Sequence, residues 1–199
     1  MLINLEGNIA SGKSTLGQAL QASERFHFVP EPVPVWQHGF TINWLERFYG
    51  DMPRWSFTFQ IVTFTTRIQA LAGRPPDRIT VAERSIGTDR YAFAPGLHAT
   101  GALDDHEWAL YCTFWEAMAP AAPRPDLILY LRTPADECLR RLKARSRAEE
   151  VGVTLDYLQE LGQRHDDWLL GRPDVIVLDG TRHWTAAEIV LELEQAGAG

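Results

Sequence analysis

The chain has 199 residues, of which 45% are hydrophobic and 23% are charged. These proportions are those of an ordinary globular protein, and the length suits one domain with a sizeable core. The formal net charge of −7 argues against a protein that binds nucleic acid polymers, which needs a basic face.

Short apolar runs alternate with helical patterns along the chain. The predicted strands are residues 2–6, 27–30, 79–83, 127–131 and 174–178. The predicted helices are residues 14–24, 55–72, 104–118, 134–145, 154–170 and 186–194. This alternation predicts a single α/β domain over residues 1–199, with a five-stranded parallel sheet covered by helices on both faces.

The connection between the first strand and the first helix carries the pattern G-x-x-x-x-G-K-[ST], from Gly7 to Ser14. Its glycines permit a turn whose backbone N–H groups surround an anion at the start of the helix. Lys13 would place its charge on the β- and γ-phosphates, and the Ser14 hydroxyl would bind Mg²⁺. The predicted nucleotide-binding residues are Gly7, Asn8, Ile9, Ala10, Ser11, Gly12, Lys13, Ser14 and Thr15.

Three further features of the sequence concern where in the cell the protein is located. No apolar run is long enough to span a membrane. The first predicted strand begins at Leu2, so we expect no signal or transit peptide. Cys112 and Cys138 fall singly on predicted helices and are expected to be buried thiols, so we expect a reducing compartment such as the cytoplasm.

Ligands of open parallel sheets bind beyond the carboxyl ends of the strands. Glu31, the adjacent pair Glu83 and Arg84, and Asp179 all follow predicted strands, so we expect them to gather around the phosphate loop. Because neighbouring strand residues point to opposite faces, one of Glu83 and Arg84 would serve the metal and the other a phosphate or hydroxyl. A structural ion pair is the alternative.

Glu31 lies between Pro30 and Pro32, which restrict the backbone and aim the carboxylate. The nearby indole of Trp36 and poor solvation are expected to raise its pKa toward that of a useful general base. The alternative is an ordinary loop carboxylate in water.

The predicted helix 55–72 places Gln60, Phe64 and Arg67 on one face. The amide and the guanidinium could read the edge of a nucleobase, and a buried Arg67 would need a carboxylate partner, for which Asp89 is a candidate. A core helix with polar tips is the alternative.

Arg141, Arg145 and Arg147 suit a mobile lid that brings positive charge onto phosphates, and a solvated basic face is the alternative.

Five segments in order resemble the deoxyribonucleoside kinases of the deoxycytidine/deoxyguanosine kinase type: "EGNIASGKST", "VPEPVPVW", "RWSFTFQ", "ERSIGTDRYAF" and "RSRAEEVGVTLDYLQELGQRHDDWL". The resemblance spans nearly the whole chain. It implies a P-loop kinase fold, phosphorylation of a deoxyribonucleoside at its 5′-hydroxyl by ATP with Mg²⁺, a lid at about residues 141–152, and a homodimer.

The resemblance also implies a role for each matching residue. Glu31 would take the proton of the 5′-hydroxyl with Arg84 beside it, and Ser14 and Glu83 would hold magnesium. Tyr49 and Glu150 would hold the sugar 3′-hydroxyl, Gln60 would read the base, and Trp36 and Phe93 would form the walls of the base pocket. Asp179 begins the loop that would bind the adenine of ATP, while Arg141, Arg145 and Arg147 are the lid arginines.

The sequence carries two different signals about the preferred base. The short segment 36–55 resembles the insect and thymidine kinase 2 branch, whereas Arg67 and Asp89 match an Arg–Asp pair of deoxycytidine and deoxyguanosine kinases. We expect deoxycytidine and purine deoxynucleosides to be preferred. A thymidine-preferring or broad-specificity kinase, a nucleoside monophosphate kinase and a nucleotide-binding switch without turnover are the alternatives.

Overall fold

A computed structural model describes residues 1–197, so the last two residues of the predicted domain, Ala198 and Gly199, lie outside the described residues. The five predicted strands are present and all pair in parallel, in the order β2-β3-β1-β4-β5. Their bounds are β1 Leu2–Glu6, β2 Phe26–Val29, β3 Ile79–Glu83, β4 Leu127–Arg132 and β5 Val175–Asp179. The predicted α/β fold with a parallel sheet is therefore confirmed.

Within residues 1–197 the helices cover both faces of this sheet. They are α1 Lys13–Gln21, α2 Val33–His38, α3 Trp44–Gly50, α4 Met52–Ala70, α5 Ile86–Thr88, α6 Ala94–Ala99, α7 Asp105–Met118, α8 Ala135–Arg145, α9 Leu155–Leu169 and α10 Ala186–Gln195. A π-helical turn spans Asp89–Phe93, and 3-10 turns span Ala119–Ala121 and Ala148–Glu150. No helix of this described part is long and apolar enough to cross a membrane.

β1 is the central strand, and its position explains where the phosphate loop lies. Ile3 and Leu5 point into a core formed with α1 and α10, where both side chains are fully buried. β1 lies between β3 and β4 in the sheet. The phosphate loop follows the carboxyl end of β1 and leads into α1. The loop is therefore held by the most buried strand of the sheet.

A second apolar cluster joins α2, α3, α4 and α7 on one side of the sheet. The short helices α2 and α3 were not among the predicted elements, because six or seven residues give little periodic signal. Their ends are nevertheless encoded locally, since Asn43 caps α3 by accepting from the Glu46 N–H at 3.0 Å and Asp51 caps α4. These helices form one wall of the cavity described next.

Candidate active site

The phosphate loop has a backbone that only glycine adopts readily at two positions. Gly7 and Gly12 have φ values of +147° and +106°, and a Cβ on Gly7 would lie 2.6 Å from the Leu131 carbonyl oxygen. Lys13 is buried, and its Nζ donates to the carbonyls of Gly7 and Asn8 at 3.0 and 2.7 Å. Burial, followed by the nearby charge of Arg84, lowers the pKa of Lys13 to about 8.

Ser14 and Glu83 meet at the mouth of the loop, where the Ser14 hydroxyl donates to Glu83 Oε1 at 2.8 Å. A hydroxyl and a carboxylate are hard oxygen ligands that suit Mg²⁺, which keeps several waters and uses few protein ligands. Within residues 1–197 no group of three or more His, Cys, Asp or Glu side chains is placed so that it could hold a metal ion. The pair therefore fits the predicted magnesium site.

Four alternating charges run through the centre of the site. Arg84 Nε lies 3.1 Å from Glu31 Oε1, and the same oxygen accepts from Arg67 Nη2 at 2.9 Å. Arg67 Nε also donates to Asp89 Oδ2 at 3.1 Å. Arg67 and Asp89 are 5% and 1% exposed, so the carboxylate partner expected for a buried Arg67 is present, and Glu31 is a second partner that was not expected.

The expectation that the pKa of Glu31 is raised is wrong. Its side chain is 19% exposed, and burial alone would raise the pKa. The positive charges of Arg84, Arg67 and Lys13 outweigh burial and lower the pKa to about 2. Glu31 is therefore ionised at neutral pH and is held in place by two guanidinium groups.

Glu83 and Arg84 do not divide between two faces as the strand pattern predicted. β3 ends at Glu83, and Arg84 has a φ of +67°, a left-handed conformation that is uncommon outside glycine. The alternation of side chains stops at this residue, so both side chains line the same cavity. Glu83 reaches Ser14 and Arg84 reaches Glu31.

One cavity of about 540 Å³ brings most of the predicted site residues together. From the phosphate loop it is lined by Ile9, Ala10, Ser11, Gly12, Lys13, Ser14 and Thr15. Its other predicted lining residues are Glu31, Trp36, Tyr49, Gln60, Arg67, Glu83, Arg84, Asp89, Phe93, Arg141, Arg145, Arg147 and Glu150. This volume is in the range of sites for small organic ligands.

The walls of this cavity are rigid and aromatic on one side. The Trp36 indole donates to Thr66 Oγ1 at 2.9 Å, and its ring packs edge-on against Phe59 at 5.4 Å between centroids. Gln60 is 2% exposed, and its Oε1 has no hydrogen-bond partner among the described residues. Such an acceptor is costly to bury, so it suits a ligand that donates a hydrogen bond there.

Phe64, which the helical spacing grouped with Gln60 and Arg67, does not line the cavity. It packs edge-on against Phe114, with ring centroids 4.9 Å apart. The face predicted from helical spacing therefore combined two residues of the cavity with one core residue, Phe64.

The three arginines that were predicted to form a lid have different partners. Arg141 Nη1 donates to the Ser11 carbonyl at 2.7 Å, so this guanidinium already lies against the phosphate loop. Arg145 and Arg147 both pair with the buried carboxylate of Glu150, the latter at 2.8 Å. The charges of Arg145 and Arg147 are therefore both directed at Glu150 in this structure.

Asp179, Gly7 and Asn8 do not line this cavity. The Asp179 carboxylate is exposed and accepts from the Thr181 N–H and hydroxyl at 2.8 and 2.6 Å, in a separate groove beside β5. This groove is also lined by Asn8 of the phosphate loop, so Asp179 lies near the loop without lining the cavity of the other strand-end residues, and its contact with the adenine of ATP stays a prediction. Asn8 instead donates to the Leu158 carbonyl at 2.7 Å, which ties the loop to α9.

Several residues of the cavity were not predicted. Gln37, Leu45, Phe48 and Phe59 line it from α2, α3 and α4. The apolar spacing of Leu45 and Phe48 behind the cap residue Asn43 was the available signal, in a helix too short for a periodic pattern to be decisive. A second cavity, of about 450 Å³, lies between α4, α9 and the prolines that precede β4 and contains no residue of the phosphate loop.

The sequence of residues 3–193 matches the family model described as deoxynucleoside kinase. The chain belongs to the deoxynucleoside kinase family. It is 38% identical to the deoxycytidine kinase of Mus musculus over 85% of this chain and 75% of that protein. It is also 38% identical to a probable deoxycytidine kinase of fowlpox virus, over 84% of this chain and 71% of the relative.

A mitochondrial deoxyguanosine kinase of Xenopus laevis is 33% identical over 84% of this chain and 72% of the relative. Membership of this family makes the chain a deoxynucleoside kinase that transfers a phosphate from ATP to a deoxynucleoside. The expected P-loop kinase fold agrees with the parallel sheet and the glycine-rich loop.

Proposed function

We propose that this kinase phosphorylates the 5′-hydroxyl of deoxycytidine and of purine deoxynucleosides in preference to thymidine. The observation that carries the proposal is the buried Arg67–Asp89 pair, which lies on the same cavity as Gln60. The relatives named above, deoxycytidine and deoxyguanosine kinases, point in the same direction.

The donor would bind at the phosphate loop, with Lys13 and the lid arginines offsetting charge on the transferring phosphoryl group. Mg²⁺, held by Ser14 and Glu83, would supply further positive charge at the phosphates. To reach a phosphate, Lys13 Nζ would leave the carbonyls of Gly7 and Asn8 that it contacts. The lid, at about residues 141–152, would close over the donor in the same way, by exchanging Glu150 for phosphate.

Glu31 would accept a hydrogen bond from the 5′-hydroxyl and receive its proton as the phosphoryl group transfers. Arg84 and Arg67 keep this carboxylate ionised and fix its direction. With a pKa of about 2 it is a weak base, so its main contribution would be to orient the nucleophile. Tyr49 and Glu150 would hold the 3′-hydroxyl, and Trp36 and Phe93 would enclose the base.

Base choice would depend on the partner of Gln60. Its unpartnered Oε1 suits the amino group of cytosine or adenine, although an amide can turn to present its N–H₂ instead. Arg67, fixed by Asp89 and Glu31, would add a donor with a set direction and would crowd the 5-methyl group of thymine. Excluding one methyl group is worth about 1–3 kcal/mol, or about 10–200-fold in kcat/KM.

The test is kcat/KM for the four deoxynucleosides in wild type, Arg67→Met, Asp89→Ala and the double variant. The double variant should move preference toward thymidine by at least about 10-fold. Each single variant should be worse for all four substrates, since it leaves a buried charge with fewer partners. A wild type that phosphorylates thymidine best would contradict the proposal.

A homodimer is the proposed assembly. Leu110, Phe114 and Met118 recur every four residues on one face of α7, and Leu110 and Met118 are 56% and 45% exposed. Such an apolar face suits a contact between two copies. A cytoplasmic location is also proposed, because Cys112 and Cys138 are free thiols, as expected in a reducing compartment.

A further inference from the structure

Glu149, next to the proposed sugar-binding residue Glu150, contacts the opposite wall of the active site. Its Oε1 accepts from Gln37 Nε2 at 2.7 Å and from Asn43 Nδ2 at 3.2 Å. More than 100 residues separate Glu149 from either partner along the chain, so these bonds join two distant segments. They connect the lid directly to the α2–α3 region.

Both partners of Glu149 are tied to elements that form the proposed nucleoside pocket. Gln37 follows Trp36 on α2 and itself lines the cavity. Asn43 is the cap of α3, the helix that carries Tyr49. Because Asn43 accepts from the Glu46 N–H with its oxygen and donates to Glu149 with its nitrogen, the position of the lid is linked to the start of α3.

Glu149 and Glu150 are neighbours in the lid but contact different partners. Glu150 pairs with Arg145 and Arg147, the groups that would leave it for the phosphates of ATP. Glu149 bonds to side chains that have no proposed contact with either substrate. The bonds of Glu149 can therefore persist while those of Glu150 are exchanged for ligand contacts.

We propose that Glu149 is a positioning residue that couples nucleoside binding to ATP binding through its bonds to Gln37 and Asn43. A nucleoside that orders α2 and α3 would fix the two amide donors, and these would hold the lid where its arginines meet the phosphates. By thermodynamic reciprocity, ATP would tighten nucleoside binding by the same factor. The inference rests on the proposed roles of the cavity and the lid.

The experiment measures the dissociation constant of deoxycytidine by calorimetry, with and without saturating Mg²⁺ and a non-hydrolysable ATP analogue. In wild type the analogue should tighten deoxycytidine binding by about 5-fold or more, the lower end of typical coupling between sites. In Glu149→Ala this factor should fall below about 2, while the affinity for each ligand alone changes by less than about 2-fold. The value of kcat should fall with it.

Two comparisons separate coupling from general damage. Glu149→Gln keeps an oxygen acceptor for both amides and should retain most of the coupling. Glu24→Ala removes an exposed glutamate outside the lid, α2 and α3 and should leave the factor unchanged. Glu149→Ala and Gln37→Ala should not be additive when combined, because each removes the same hydrogen bond.

The inference is overturned if Glu149→Ala keeps the wild-type factor, if Glu24→Ala lowers it equally, or if the double variant is additive. Failure of the proposed function gives a different result, since wild type would then bind no deoxycytidine in this cavity or would not phosphorylate it. A wild type that binds and turns over deoxycytidine but shows no coupling contradicts only the role of Glu149.

Discussion

Replacing Glu31 by glutamine removes the carboxylate shared by two buried guanidinium groups. The pKa of this carboxyl falls from 4.5 to about 2 in the folded protein, which corresponds to about 3 kcal/mol of stabilisation of the ionised form. A depressed pKa contributes stability above the unfolded value, near pH 4.5, and the contribution is lost as the pH falls toward 2. We therefore expect Glu31→Gln to lower the free energy of unfolding by about 3 kcal/mol at pH 7.

Urea unfolding of wild type and variant at pH 7 and at pH 3 measures this difference. The difference in free energy of unfolding between wild type and variant should be smaller at pH 3, because wild type has then lost part of the stabilisation from ionised Glu31. Glu46→Gln is the matched control, since it changes the same group at an exposed position and should be within about 0.5 kcal/mol of wild type. Equal stability of Glu31→Gln and wild type at pH 7 would refute the proposed network of charges.

The same variant tests the chemistry. Turnover should fall by about 10²-fold or more, while the affinity for deoxycytidine stays within a few-fold of wild type. Because the pKa of Glu31 is about 2, wild type should also show no loss of kcat/KM between pH 7 and pH 5 from protonation of this group. Turnover within a few-fold of wild type would remove Glu31 from the mechanism.

Four further expectations concern the phosphate loop, the pH dependence of ATP binding, a buried glycine and the exposed face of α7. Lys13→Ala should abolish phosphoryl transfer without unfolding the protein, as checked by circular dichroism and by ADP release; a folded variant with full activity would contradict the role of the loop. In wild type the KM for ATP should rise above pH 8, because the lowered pKa of Lys13 leaves it neutral there and the phosphates bind its charged form; a flat profile from pH 7 to 9 would argue against this. Gly17→Ala should cost about 1–3 kcal/mol in urea unfolding, since its Cβ would lie 2.0 Å from the Phe28 ring, whereas Gly50→Ala, with no atom within 4 Å, should not destabilise the protein. Leu110→Asp combined with Met118→Asp should give monomers in sedimentation, and an unchanged mass at equal concentration would exclude this face as the dimer contact.

The parts of the fold that were predicted correctly carry local signals. Apolar runs such as "ILYL" mark buried strands, and the glycine spacing of the phosphate loop requires no long-range information. Helices α2 and α3 were missed because their stability comes from packing of residues such as Trp36 and Phe48 against α4, not from periodicity. The left-handed turn at Arg84 is likewise invisible in a sequence that has no glycine there.

The charged residues of the site were also predicted only as far as local sequence signals allow. The positions of Glu31 and Arg84 after predicted strands, and of Arg67 on one helix face with Gln60, predicted that these residues belong to the site. Asp89 was a correct candidate for the partner of Arg67. The pKa of Glu31 was predicted in the wrong direction, because the sequence places Trp36 nearby but does not show that two arginines, 36 and 53 residues further along, converge on one oxygen. A pKa depends on distances between side chains, and those are set by the tertiary fold.

A carboxylate with a pKa of about 2 limits how the rate can arise. General-base catalysis is most effective when the pKa of the base is near the working pH, and Glu31 is far below it. The two guanidinium groups that weaken Glu31 as a base also fix the oxygen that would meet the 5′-hydroxyl, so no energy is needed to orient it during the reaction. Phosphoryl transfer demands little proton abstraction before the new bond forms, and it depends mainly on alignment and on positive charge at the phosphates. The arrangement of Glu31, Arg67 and Arg84 therefore favours a mechanism in which the hydroxyl is aligned first and loses its proton late.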